Sequence, residues 1–176
     1  MNASLIKKAK TKPEAFGQIY EIFYKDVYRY VYFRVKSSEI AEDLTSIIWE
    51  KILHNISSLR SNHPLVFKVW LFRIAKNSIY EHYRNNEKVT TTPIDEIEIP
   101  SEEKITEMVK NKELNAYLIN LLKGLPENQR EIIMLKFFSE FKNKEIATIL
   151  GISEQMVAAY LSRALKSLKH KVAFLL

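Results

Sequence analysis

Arg163, Lys166, Lys169 and Lys171 cluster near the C-terminal end of the chain, in a stretch whose apolar residues Val157, Leu161, Ala164 (or Leu165) and Leu168 keep helical spacing. Cations outside an apolar stripe can hold the phosphates of a polyanion, or simply solvate a helix. A second set lies upstream. Arg73, Asn77, Tyr80 and Arg84 follow steps of four, three and four, with Lys76 beside them, so cationic, amide and aromatic groups share one helical face. These groups bind; none of them makes or breaks bonds unaided. No nucleotide loop, metal set or nucleophile–base arrangement is visible, and the absence of cysteine excludes thiol nucleophiles, thiolate metal sites and disulfides. Glu42 and Asp43 are adjacent carboxylates, but neighbours on a helix point in different directions and no His or further acid stands at ligand spacing. The expectation is a binding protein, not an enzyme, with no metal and no cofactor.

The elements that position the C-terminal cations are legible. Ile146, Ala147, Ile149 and Leu150 give a short helix its packed face, and Gly151 can take the left-handed conformation that ends it. Ser153 can cap the helix that follows. From Asn143 to Lys169 the pattern is short helix, glycine turn and capped second helix with a basic exterior, which is that of a DNA-binding helix-turn-helix. The plain alternative is an ordinary helical hairpin with a solvated face.

Composition sets the bounds. The 176 residues are 47% hydrophobic, and only 3 Gly and 5 Pro argue against a turn-rich β architecture. Lys and Arg outnumber Asp and Glu by 27 to 21, a net charge of +6, which favours a polyanionic partner without choosing between nucleic acid and an anionic membrane. The N-terminal residues lack the apolar core of a signal peptide, and no apolar run approaches membrane-spanning length. Without disulfides the chain suits a reducing compartment, so a soluble, cytoplasmic protein with no membrane insertion is expected.

Taken in order, Lys7 to Lys12 reads as a frayed basic lead-in. Pro13 opens a helix in which Phe16, Ile19, Tyr20, Phe23, Val27, Tyr30 and Val31 recur at helical spacing, while Tyr24, Tyr28, Tyr32 and Phe33 extend apolar area round the other side. Ser38 is expected to cap a third segment running to about Ile56. Residues 57–64 form a loop, and 66–86 a helix with Phe67, Trp70, Leu71, Ile74 and Ile79 towards a core. Residues 87–106 are acidic, interrupted by Thr and Pro, and read as a flexible linker. A second helical domain, 107–176, follows: a helix from near Glu107 to Leu122, a stop at Gly124, Pro126 in the first turn of the next helix, then Ile132, Ile133, Leu135 and Phe138 in its core. The fold class is therefore all-α, two small helical domains, 1–86 and 107–176, joined by an acidic linker.

Two sets of motifs resemble one family. The first domain carries AEDL (Ala41–Leu44) and WLFRIAKN (Trp70–Asn77); the second carries LPENQREI (Leu125–Ile132), EIATILGIS (Glu145–Ser153) and LSRALKSLK (Leu161–Lys169). In order and spacing these resemble the extracytoplasmic-function (ECF) sigma factors of bacterial RNA polymerase, over nearly the whole chain from Phe16 to Lys171. The resemblance implies core RNA polymerase and promoter DNA as partners, an anti-sigma factor as a frequent third, and no chemistry of its own. It implies that the first domain recognises and opens the −10 element. Arg73, Lys76, Asn77, Tyr80 and Arg84 have the residue types for that task, and the 57–64 loop resembles the family's specificity loop, where Arg60, Asn62 and His63 would read a flipped base. The resemblance places Glu42, Asp43, Ser46 and Ile47 on the polymerase clamp, with a departure: Ser46 and Ile47 replace the usual Gln-Glu. It places the helix after Ser153 in the major groove at the −35 element, with Ser153, Glu154, Gln155, Ala158, Ala159, Ser162, Arg163 and Lys166 facing DNA and Lys144 helping from the supporting helix. Gln155 could pair with adenine, Arg163 with guanine or phosphate, and an alanine with a thymine methyl. A second departure is Ala158-Ala159-Tyr160 where the family commonly has Lys or Arg. The acidic linker would thread the polymerase channel. The rival readings are a stand-alone helix-turn-helix regulator and a sigma-like helical adaptor without DNA function.

Overall fold

The computed structural model describes residues 1–35, 37–87, 121–122 and 124–173, all helix or short connection. The helices are α1 (Ala3–Ala9), α2 (Pro13–Val35), α3 (Ser38–Asn55), α4 (Pro64–Glu87), α5 (Glu127–Ile133), α6 (Asn143–Leu150) and α7 (Glu154–Ala173). They fall in two compact units, Met1–Ile97 and Glu98–Leu176. The expected linker beyond residue 87 lies outside the described residues, as does all of the expected 107–122 helix except Leu121 and Leu122, which are helical.

In the N-terminal unit, α1, α2, α3 and α4 pack on one another. Ile19, Val27 and Val31 of α2, Ile48 and Ile52 of α3, and Phe67, Leu71, Phe72 and Ile79 of α4 are wholly buried. An edge-to-face contact of Tyr30 with Phe72, centroids 5.5 Å apart, joins α2 to α4. The second apolar face of α2 is a ladder of phenols, Tyr20, Tyr24, Tyr28 and Tyr32, with successive centroids 5.0, 6.1 and 6.3 Å apart. Its outer end rests on Trp49 of α3, 4.9 Å from Tyr20. At the inner end burial, and then Tyr28 beside it, push the Tyr32 hydroxyl up to about 12. An unfolded tyrosine titrates near 10. Because the folded state keeps its proton longer, the contribution is intact below about pH 10 and is lost as pH rises towards 12. Tyr32→Phe should therefore flatten the fall in urea-melt stability between about pH 10 and 12; a fall as steep as that of the parent protein would separate Tyr32 from it.

The lead-in is a correction. Residues 3–9 form α1, started by the Asn2 side chain, which accepts a 2.9 Å bond from Leu5 N–H, and anchored by fully buried Ile6 and by Ala9. Seven residues, about two turns, hold too few apolar positions to register as a period. Two smaller corrections concern caps. Ser37, not Ser38, accepts the bond from Ile40 N–H that starts α3, at 3.3 Å. The loop before α4 is shorter than 57–64: Ile56–Ser58 make a 3-10 turn and Pro64 is already helical, where its missing N–H costs nothing.

In the C-terminal unit Pro126 stands just before α5 as its cap residue. A wider, π-type turn, Met134–Phe138, follows and leads to α6. Ile132, Leu135, Ile146, Ile149, Val157 and Ala164 are buried between α5, α6 and α7. Phe138, an expected core residue, is only half-buried. Gly151 has φ of 72°, and its N–H closes on the Ala147 carbonyl at 2.9 Å. Ser153 Oγ accepts the Met156 N–H at 3.2 Å and so caps α7.

Candidate nucleic-acid interface

On α4 the core takes Phe67, Leu71, Phe72, Ala75 and Ile79, which turns Arg73, Asn77, Tyr80 and Arg84 outward. All four are exposed and Lys76 is half-buried beside them, so the expected stripe exists as one face. Tyr80 is 51% exposed, too open for a core ring. Two cations lie over that ring: the Lys76 ammonium at 5.0 Å and the Arg34 guanidinium at 5.6 Å from its centroid. Tyr83 behaves differently, because its hydroxyl donates a 2.5 Å bond to the Arg34 carbonyl and ties α4 to the end of α2.

Trp70 and Ile74, expected in the core, are half-buried. They line a shallow recess of about 300 Å³ with Lys51, Asn55 and Ser58 on one side and Asn77, Ser78 and Glu81 on the other. Lys51 spans it, donating to Ser78 Oγ at 3.2 Å and to Glu81 Oε2 at 2.5 Å. That ion pair is open to solvent and contributes little by itself. Of the stripe residues only Asn77 lines the recess, and Ser58 lines it from the turn after α3.

The connection before α4 carries the other half. Arg60 is exposed and Asn62 partly covered, its Oδ1 enclosed. His63 is exposed, but its Nδ1 accepts the Leu65 N–H at 3.2 Å and its own N–H reaches Ser61 Oγ at 3.1 Å, so its ring also helps start α4. The Lys10 ammonium, one residue past α1, donates to the Leu59 carbonyl at 2.5 Å and fixes the start of this connection.

On α3, Asp43, Ser46 and Ile47 are exposed and Glu42 half-buried, opposite the core face of Ala41, Leu44, Ile48 and Ile52. Ser46 Oγ donates back to the Glu42 carbonyl at 3.0 Å, and Ile47 is 46% exposed. Glu50, one turn further on, is exposed on the same side and went unflagged, although the spacing 43, 46, 47, 50 marks it.

On α7, Glu154, Gln155, Ala158, Ala159, Ser162, Arg163 and Lys166 are all exposed, as are Ser153 before it and Lys144 on α6. Val157 and Ala164 make its buried contact, Leu161 and Leu168 are half-buried, and Leu165 is exposed, which settles the choice between Ala164 and Leu165. Arg163 lies over the Tyr160 ring at 5.9 Å. Arg34 is a further residue that sequence reasoning missed. Its signal was a cation at a buried step of the α2 stripe, after Val27, Tyr30 and Val31.

Among the described residues no three His, Asp or Glu side chains gather to hold a metal ion, and no helix is long and apolar enough to cross a membrane. Both units match a family model. Residues 19–89 match the model of sigma-70 region 2, and residues 115–168 that of sigma-70 region 4. The ECF RNA polymerase sigma factor SigM of Bacillus subtilis is 30% identical over 152 residues, covering 86% of this chain and 91% of SigM. The ECF sigma factor BldN of Streptomyces coelicolor is 29% identical over 171 residues, covering 93% of this chain; the chain spans 63% of BldN's length. Among solved structures, CnrH in complex with the cytosolic domain of CnrY matches with a TM-score of 0.72 at 20% identity, covering 98% of this chain and 97% of that one. The sigma factor RpoE in complex with the anti-sigma factor NepR, from Bartonella quintana, matches at 0.67 and 20%, covering 90% and 96%.

Proposed function

The chain belongs to the ECF-type sigma factors, and from that premise we propose that it binds core RNA polymerase, directs it to a class of promoters and helps to melt their −10 region, working in the cytoplasm. The observation that carries the reading is the pairing of two exposed faces on two sigma-matched units. One is the Arg73–Asn77–Tyr80–Arg84 stripe on α4; the other is the outer side of α7 behind a glycine-ended α6.

In this reading α4 handles the opened strand. Losing a stacked DNA step costs about 1.4 kcal/mol. A protein without a motor offsets it by stacking on the exposed bases, which returns roughly 1–3 kcal/mol each. Tyr80 supplies the ring, and Arg73, Lys76 and Arg84 hold the phosphates. Arg60, Asn62 and His63 would read a base from the connection before α4. Glu42, Asp43, Ser46 and Ile47 would meet the polymerase clamp, with exposed Ile47 adding an apolar contact where the family commonly places a carboxylate. The polymerase performs the phosphoryl transfer. An anti-sigma factor is proposed as a further partner, since RpoE was solved with one.

At the −35 element α7 would lie in the major groove. Ala158 and Ala159 offer only methyl contacts, so Gln155 and Arg163 carry the polar readout there. Gln155→Ala should cost about 1–3 kcal/mol on a matched promoter and less on one altered at that base. A uniform loss on both promoters would assign Gln155 to phosphate contact or folding. The function as a whole is tested by adding the protein to sigma-free core polymerase and mapping run-off transcripts from a genomic DNA pool. New start sites are expected; a folded protein that yields none sinks the proposal, and specific DNA binding without polymerase would favour a stand-alone regulator.

A further inference from the structure

Arg34 occupies the last turn of α2, in the stripe that Val27, Tyr30 and Val31 fill with apolar groups, and is only 7% exposed. Taking a guanidinium out of water is costly unless its surroundings compensate. One such neighbour is the Tyr80 ring of α4. The guanidinium carbon is 5.6 Å from the Tyr80 ring centroid, and the Arg34 carbonyl accepts the Tyr83 hydroxyl at 2.5 Å. Lys76 contributes a second cation, 5.0 Å from the same ring. Tyr80 nevertheless remains half open to solvent.

We propose that Arg34 is a positioning residue for Tyr80, holding its ring as a preset stacking platform for an unpaired base of the −10 strand. The inference rests on the reading of Tyr80 as a stacking residue. An unrestrained tyrosine on a helix surface samples several rotamers and must be ordered when a base arrives; a ring already held by a cation avoids part of that cost. Cation–π attraction is stronger when the cation is desolvated, which favours buried Arg34 over half-buried Lys76 for the task. The same burial leaves Arg34 little surface to offer a phosphate, so the backbone contacts fall to Arg73, Lys76 and Arg84. A positioning role and a phosphate-binding role therefore make different predictions.

The test uses holoenzyme on a duplex promoter, comparing Arg34→Met, Arg34→Lys, Tyr80→Ala and the Arg34→Met/Tyr80→Ala pair for open-complex formation at several salt concentrations. Arg34→Met is expected to lower opening about three- to tenfold, to leave the salt dependence unchanged and to add nothing in the Tyr80→Ala background. Arg34→Lys, which keeps the charge, should recover part of the loss. An equal Arg34→Met loss with and without Tyr80 overturns the proposal, as does a salt slope reduced by about one, the mark of a lost phosphate contact. Should Arg34→Met fail to fold, Arg34→Lys decides in its place: its smaller loss must vanish in the Tyr80→Ala background, and persistence there is the contrary result. If Tyr80→Ala leaves opening intact, the stacking reading fails and this inference fails with it. If Tyr80→Ala impairs opening while Arg34→Met acts independently, only the inference about Arg34 fails.

Discussion

Replacing Tyr80 with alanine is expected to lower open-complex formation by roughly one to two orders of magnitude, the equivalent of about 1–3 kcal/mol of base stacking. Polymerase binding should hardly change. The expectation follows from where the ring stands. At 51% exposure Tyr80 contributes little to the core that Phe67, Leu71, Phe72 and Ile79 build on the other side of α4, so its loss should not unfold the unit. Tyr83, the other exposed aromatic near this stripe, has its hydroxyl committed to the Arg34 carbonyl, which leaves Tyr80 the more open ring. Permanganate reactivity of −10 thymines, set beside an assay of binding to core polymerase, separates the two steps. Equal losses in both would give Tyr80 a packing role.

The faces proposed to touch DNA were readable because each lies on a helix long enough to show its period. In α4, steps of four, three and four placed Arg73, Asn77, Tyr80 and Arg84 together, and all four are exposed. In α6 and α7, a glycine with positive φ and a capping serine mark the turn, and the chemistry of those two residues is local. What stayed hidden depended on contacts between elements. Ala164 and Leu165 are equally compatible with the α7 stripe, and the smaller one lies where the helices approach. The cap of α3 is Ser37 and not the expected Ser38, a shift of one position that only the backbone decides. Trp70 reads as core by type, yet it borders a recess whose other side is Lys51, Asn55 and Ser58, residues distant in sequence. Arg34 gains its meaning from Tyr80 and Tyr83, 46 and 49 positions later in the chain, a relation no local pattern encodes.

The same reasoning applies to the first helix and leads to the largest expected loss of stability. Ile6→Ala should cost the N-terminal unit about 2–5 kcal/mol, the range for truncating a buried isoleucine. Ile6 is fully buried, while Lys7 and Lys8 beside it are exposed, so Lys7→Ala should stay within about 0.5 kcal/mol. Domains of this size have a net stability of only about 5–15 kcal/mol, so the isoleucine change is a large fraction of the total. The seven residues of α1 have too few internal hydrogen bonds to persist alone. Their order depends on docking against α2 and α4, and Ile6 is the larger of the two residues that α1 buries. Losing it should release α1 from α2, which allows the unit to lower the cost by undocking instead of keeping a cavity, and places the value towards the lower end of the range. Undocking would also remove the Lys10 bond to the Leu59 carbonyl and loosen the connection that carries Arg60, Asn62 and His63. Urea melts of the two variants, with amide exchange across residues 59–63, test both steps. Faster exchange there is expected for Ile6→Ala alone. If the two variants melt alike, α1 is not part of the cooperative unit, and the connection before α4 does not depend on it.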